Sequence, residues 1–433
     1  MADTVAGFPF WKLAFDKDAS AVDPGALAQF RNEVKAKHIT DLFIFSHGWN
    51  NDQQTASQLY QNFFGEMRKI VNQFPLPTSV TIGTAGVFWP SIMWPDHPAG
   101  DGGGAASFGE PAVDIGGEMK KVFQEPSQQK TIDVLTNKLQ TQQRTDAAVN
   151  GFISDLKGLL SNQPSMPEYH DLEKRAATAS TEDWRRVLDA LADTEPSSAT
   201  EGGAAGLGDM FDRIWRGAKA ALRVATYWQM KARAGVVGKT ALGPLLSQLS
   251  SENPQIRLHL IGHSFGARLV SYTLAGLQVP PNTASPVKSL FLIQGAFSHF
   301  AFADALPFDQ SRKGDLAGMS KRVDGPLLTT FSSFDKAVGF AYPAASVLAN
   351  DDAAAADDLM YRWEGMGCDG AQAVNAVVTV LGDPRCAYNF QKGQWLNLDG
   401  NSVITQGGLP AGAHSDIIHP QIAWAELKAA GLY

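Results

Sequence analysis

The stretch "HLIGHSFGARLV", residues 259 to 270, sets a serine between two glycines, straight after an apolar run and before a helix-like one. Gly262-His263-Ser264-Phe265-Gly266 fits the pattern G-x-S-x-G, which gains weight only from its context. Here Ile256 to Ile261 favour a strand, and Leu269, Val270, Leu274 and Leu277 share one face of a helix that Pro280 and Pro281 stop. At such a strand-to-helix bend the serine is forced into an unfavourable backbone conformation, and the glycines remove side chains that would collide. Its hydroxyl projects beside the helix N-terminus, where a developing negative charge is favoured. The plain alternative is a glycine turn with an incidental serine.

A serine hydroxyl attacks poorly until a base takes its proton, so an imidazole and an orienting carboxylate are needed from elsewhere. For a nucleophile at this kind of bend, the chain order is serine, then acid, then histidine. Nine histidines are present, and His414 in "LPAGAHSDIIHP" follows the last strand candidate through a flexible glycine-containing loop. His419 precedes Pro420 and reads as the start of the terminal helix. For the acid, "LLTTFSSFDKAVG" offers Asp335 at a strand end, ahead of Asp304, Asp309 and Asp399.

The oxygen of a reacting carbonyl needs two backbone N–H donors. Phe265 supplies one, and Trp49 in the early loop "SHGWNN" supplies the other. His47, Gly48 and His263 flank these donors and are expected to contact substrate, or else to shape the loop beneath it.

These residues need a scaffold. "FPFWKLAFD", "DLFIFS" and "SVTIGTAGVF" read as strands alternating with two helices, one starting at Asp23-Pro24 and one carrying Leu59, Phe63, Phe64, Met67, Ile70, Val71 and Phe74. That rhythm predicts a mostly parallel sheet flanked by helices. Residues 97 to 216 interrupt it with glycine-rich and polar stretches around helical spacings at Ile153 to Leu160 and Trp184 to Leu191. We expect a core formed by 1–96 and 217–433, a helical insertion over 97–216, and a smaller excursion near 342–393. Strand candidates resume at 256–261, 289–297, 327–333 and 394–400.

Composition narrows the partners. The formal charge is −8 with no basic cluster, so nucleic acid is an unsuitable partner. No stretch approaches the roughly 18 to 20 apolar residues that span a bilayer, so stable membrane insertion is not expected. The N-terminus lacks the basic and apolar regions of a secretory signal, which points to a cytoplasmic protein, with leaderless export or a removed leader left open. Only Cys368 and Cys386 are present, enough for one bridge and not for a disulfide framework. "GVVGKT" at 235–240 lacks the first glycine of a phosphate loop because Arg233 stands there. "HSDIIH" has no accompanying cysteine or H-E-x-x-H, so no metal is expected. Ile92, Met93 and Trp94 could line an apolar pocket or simply fill core.

His47-Gly48-Trp49-Asn50, Trp89-Pro90-Ser91 and Gly262 to Gly266 together resemble the α/β-hydrolase superfamily, in particular bacterial serine esterases. The resemblance covers about residues 40–95 and 217–420. It implies an α/β-hydrolase fold, a nucleophile at Ser264, oxyanion donors at Trp49 and Phe265, and no cofactor; the insertion at 97–216 departs from the simpler family members and is expected from its position to form a cap over the site. The expected substrate is a small-molecule ester or a lipid. A lipase or phospholipase, an amidase, and a catalytically silent binding module are the alternatives, and the oligomeric state stays open.

Overall fold

The hexapeptide Asp41–Ser46 is buried at every residue, as a strand covered on both faces must be. Alternation sends Leu42 and Ile44 into one hydrophobic core and Phe43 and Phe45 into another. The computed structural model describes residues 3–91, 114–161, 178–194, 207–279, 283–337, 364–408 and 411–433. Within them the chain is an α/β protein built on one nine-stranded, mostly parallel sheet.

The order along the chain begins β1 (Asp3–Val5), β2 (Phe8–Ala14), α1 (Pro24–Ala36), β3 (Asp41–Ser46), α2 (Gln53–Gln73) and β4 (Ile82–Phe88). The Asp23 side chain accepts the N–H of Ala26, and Pro24 opens α1, where its missing N–H costs nothing. Among the described residues five helices follow: α3 (Ile115–Val122), α4 (Pro126–Thr141), α5 (Asp146–Ser161), α6 (Thr181–Leu191) and α7 (Leu207–Val237). Beyond α7 the described strands and longer helices are α8 (Gly243–Glu252), β5 (Arg257–His263), α9 (Phe265–Gly276), β6 (Val287–Ile293), β7 (Leu327–Phe331), β8 (Val377–Val380), β9 (Trp395–Asp399) and α10 (Pro420–Ala429).

In the sheet the strands run β1-β2-β4-β3-β5-β6-β7-β9-β8, and β1 alone pairs antiparallel. Two edge strands escaped the sequence reading, for physical reasons. The first has three residues, and Val377, Val378 and Val380 of β8 are exposed, so neither shows a burial pattern.

The insertion is helical among its described residues, and its apolar faces share one contiguous core with a face of the sheet. Phe152, Leu156, Trp184 and Leu188 belong to the same cluster as Leu42, Ile44 and Leu260. The expected boundary at 216 falls inside α7, a single helix. Of the excursion near 342–393, residues 342–363 lie outside the described residues; the rest holds a helical turn at Met366–Asp369 and then β8. Ile92, Met93, Trp94, Pro280 and Pro281 also lie outside the described residues. "GVVGKT" lies on the end of α7 and a π-helical turn, Gly238–Leu242. A Cβ on Gly238 would meet the Leu269 carbonyl at 2.0 Å, so glycine here serves helix packing against α9. Both cysteines are free thiols. No described helix is long and apolar enough to cross a membrane.

Toward the N-terminal ends of the central strands lies a buried polar chain. Asp41 Oδ1 meets His259 Nε2 at 3.1 Å, His259 Nδ1 meets Ser289 Oγ at 2.9 Å, and Ser289 donates to Glu426 Oε1 at 3.0 Å. Arg257 pairs with Asp41 at 3.0 Å from the strand end. Glu426 is fully buried and its Oε2 has no hydrogen-bond partner, so burial pushes its carboxyl from 4.5 up to about 8. Between those values the unfolded chain ionises while the folded acid keeps its proton. The stability associated with this group is therefore complete below 4.5 and lost as pH rises through about 8. Glu426→Gln, which never ionises, should lose less stability than wild type between about pH 5 and 9. Urea unfolding across that range checks this; parallel pH profiles for the two proteins would reject it.

Candidate active site

The residues singled out in the sequence lie at or beyond the C-terminal ends of parallel strands, and the register brings those ends level. Ser46 pairs with Gly262, His263 with Ile293, Ile293 with Thr330, and Phe331 with Asp399. The loops leaving β3, β4, β5, β6 and β7 therefore start side by side, where parallel sheets present their ligand sites.

Ser264 is the bend itself. It has φ 58° and ψ −122°, a conformation that costs a non-glycine residue about 1–3 kcal/mol and persists only where neighbours over-determine it. Its N–H donates to the Ile293 carbonyl at 3.1 Å, and its own carbonyl accepts from Ala267 at 3.1 Å and Ala296 at 3.3 Å. The flanking glycines are there for space. A Cβ on Gly262 would lie 2.3 Å from the Gly266 carbonyl, and one on Gly266 would lie 2.0 Å from the Ser46 carbonyl. As the first residue of α9, Phe265 presents an N–H without an intrahelical acceptor.

The loop after β3 closes over this bend. A Cβ on Gly48 would sit 2.6 Å from the Ser264 Cβ and 3.1 Å from its Oγ. Trp49, the next residue, packs its ring against Phe265 at 6.2 Å and Tyr227 at 5.9 Å. His47 is buried, and burial holds it down to about 4, neutral. Its Nδ1 donates to the Gly48 carbonyl at 2.8 Å, which leaves Nε2 to accept the Trp89 N–H at 3.4 Å. Trp89 stacks on the His47 ring and donates its indole N–H to the His47 carbonyl at 3.1 Å. Ser91 donates to the Asn51 carbonyl at 2.7 Å and accepts the Asn51 N–H at 3.2 Å. So the Trp89-Pro90-Ser91 turn braces the His47 to Asn51 loop, and His47 and Gly48 shape that loop from below.

On the other side, Asp335 and His414 are brought together by backbone pairing. Ala413 N–H donates to the Phe334 carbonyl at 2.9 Å, and Lys336 N–H donates to the Ala411 carbonyl at 2.9 Å. Gly412 between them has φ 61°, and a Cβ there would lie 2.1 Å from the Phe334 carbonyl, so only glycine fits. His414 Nδ1 then donates to Asp335 Oδ2 at 2.8 Å, with both residues buried. That bond fixes the tautomer and leaves Nε2 with its lone pair. His263, next to Ser264, donates Nε2–H to the His414 carbonyl at 2.9 Å, and the two rings lie 4.9 Å apart. Burial, reinforced by His414, holds His263 down to about 3, so it stays neutral. Ser264 and His414 form no direct hydrogen bond with each other.

Gln294 is a site residue the sequence reading missed. It takes φ 45° just after β6 and donates Nε2–H to Asp335 Oδ2 at 2.9 Å and to the Gly367 carbonyl at 3.2 Å. Thr330 donates its hydroxyl to Gln294 Oε1 at 2.9 Å. Its signal was a polar residue closing the apolar run "SLFLI". His419 takes a different partner, Asp416, at 2.7 Å. Asp309 and Asp399 bond to their own turns, through Ser311 and Asn401.

Among the described residues, one group has metal-ligand types close together: His299, Glu364 and Asp369, with ligand atoms within 4.8 Å of one another. His299 Nδ1 already meets both Asp369 oxygens, at 2.9 and 2.8 Å, as an ordinary imidazole-carboxylate pair does. No protein-family model, curated protein or solved structure matches this chain.

The fit of Gly48 against Ser264 is open to a direct check. Gly48→Ala should destabilise the fold by about 1–3 kcal/mol through overpacking. Gly65→Ala, on α2 with nothing within 4 Å, should be neutral or stabilising by about 0.5–1 kcal/mol. Chemical unfolding of the two variants beside wild type measures both, and equal stabilities would contradict the contact.

Proposed function

We propose that this protein is a serine hydrolase of the α/β-hydrolase fold that cleaves carboxylic esters through an acyl-enzyme. The observation that carries the reading is the buried His414 Nδ1 to Asp335 Oδ2 bond at 2.8 Å, on a loop that His263 ties to the strained Ser264 bend. A structural histidine-carboxylate pair needs no strained serine beside it, and a strained serine needs no oriented imidazole. Their coincidence at level strand ends is what favours catalysis.

In this reading His414 Nε2 accepts the Ser264 proton as Oγ attacks the ester carbonyl. The imidazolium that forms is stabilised by the Asp335 carboxylate. Negative charge moves to the carbonyl oxygen and is received by the N–H groups of Trp49 and Phe265, with the N-terminal end of α9 adding its positive potential. Collapse of the tetrahedral intermediate breaks the bond to the alkoxy group, which leaves as the alcohol with the proton from His414. Water then attacks the acyl-serine with His414 as base again, releasing the acid and restoring Ser264. Gln294 donates to the same Asp335 Oδ2 that His414 uses, and the Ala337 N–H donates to Oδ1, so the acid stays aligned through both half-reactions. His47 and His263, neutral throughout, supply hydrogen bonds without competing for the proton. The reaction as written requires no cofactor.

A panel of p-nitrophenyl esters of graded chain length, together with a serine-directed fluorophosphonate, tests this. Wild type should turn over at least one ester and label covalently, and Ser264→Ala should do neither. Asp335→Asn should stay folded and lose roughly 10³ to 10⁴-fold in kcat, because the imidazole loses its tautomer and its countercharge. Label appearing equally on Ser264→Ala, or a near-normal rate for Asp335→Asn, would end the proposal.

A further inference from the structure

Arg233, near the end of α7, is buried, and among the described residues no carboxylate forms a contact ion pair with it, Asp18 attracting it only through space. Its guanidinium instead spends its fork on two carbonyls: Nη1 donates to Pro90 at 3.1 Å and Nη2 to Val122 at 3.1 Å. Val122 is the last residue of α3, so one prong satisfies a carbonyl at the negative end of a helix. The other prong holds the middle residue of the Trp89-Pro90-Ser91 turn. Burying a cation whose direct hydrogen-bond acceptors are two neutral carbonyls is costly even with the Asp18 charge nearby. An apolar side chain of similar length would pack there at lower cost, which leaves the two directed bonds as what the arginine adds.

What the turn does next gives those bonds their consequence. From Pro90 the chain passes to Ser91, whose hydroxyl bonds both the N–H and the carbonyl of Asn51. Asn51 in turn donates Nδ2–H to the Trp49 carbonyl at 2.9 Å. On the other side of Pro90, Trp89 clamps His47 by stacking and by its indole N–H. The loop from His47 to Asn51 lies against Ser264 through Gly48.

We infer that Arg233 is a positioning residue for the oxyanion loop, fixing the Pro90 turn to the C-terminus of α3 and thereby the Trp49 N–H over Ser264. The catalytic part of this inference rests on the hydrolase reading; the positioning part does not. Lysine cannot replace the arginine fully, because an ammonium is a point charge and lacks the planar fork that reaches two carbonyls in fixed directions.

Two measurements on Arg233→Met and Arg233→Lys test it. Hydrogen exchange read on the peptide covering residues 46–52 should rise by about ten-fold or more in Arg233→Met, with exchange in β7 and β9 unchanged. In the same variant kcat toward a p-nitrophenyl ester should fall by about 100-fold while KM moves by less than about three-fold. Arg233→Lys should lie between wild type and Arg233→Met in both. Should Arg233→Met not fold, Ser91→Ala breaks the next link of the chain and should raise exchange over the same peptide. Combined with Arg233→Met in a folded protein, Ser91→Ala should add little, since both cut one path. Unchanged exchange over 46–52 in a folded variant, or a rise spread evenly across the sheet, would overturn the inference. Wild type that turns over no ester would sink the hydrolase reading instead, and the exchange measurement would then decide alone whether Arg233 holds the loop.

Discussion

Ser264 occupies a backbone conformation that a side chain rarely tolerates, and most of the surrounding polar geometry follows from holding it there. Two parallel neighbours do the holding. β6 accepts the serine N–H through Ile293, while the loop after β3 packs Gly48 against its side chain. The approach of Gly48 to Ser264, like those of Gly262 to the Gly266 carbonyl and of Gly266 to the Ser46 carbonyl, is closer than a Cβ allows, so Gly48, Gly262 and Gly266 are steric requirements of one bend. Relaxing the serine would open all three approaches together.

Around that bend the polar groups are arranged so that one imidazole is oriented by a carboxylate and the others are held neutral. Burial keeps His47 at about 4 and His263 at about 3, and each spends its ring N–H on a backbone carbonyl. His414 alone of the three donates to a carboxylate. The difference comes from what each loop offers as an acceptor. The carboxylate of Asp335 is further held by Gln294 and by the Ala337 N–H, so its orientation does not depend on the histidine. On the opposite side, His47 and Trp89 lock two loops together by stacking, with Ser91 closing the same joint.

The sheet keeps its two kinds of buried polar chemistry apart. The Asp41, His259, Ser289 and Glu426 chain lies toward the strand beginnings and is closed by α10, while the Ser264 cluster lies at the strand ends under loops. The first is carried on β3, β5, β6 and α10, with all four side chains buried. The second is built from loops whose positions answer to residues far away in the chain, such as Arg233 and Gln294.

Much of this was legible in the sequence because it rests on local physics. Runs such as "DLFIFS" and "RLHLIG" can only be strands buried on both faces, the helical spacing after Gln53 needs one apolar wall, and glycines around Ser264 announce a sharp bend. Ser264 and Asp335 could be picked out for the same reason, since each sits just beyond a strand. Tertiary structure alone decided which polar groups meet. That His414 faces Asp335 while His419 faces Asp416 depends on a backbone pairing across 334–336 and 411–413. That Gln294 and Arg233 reach the two sides of the site depends on sheet order and on how α7 packs. Propensity and periodicity are properties of neighbours in the chain, whereas a hydrogen bond between distant loops is set by how the sheet brings their ends together.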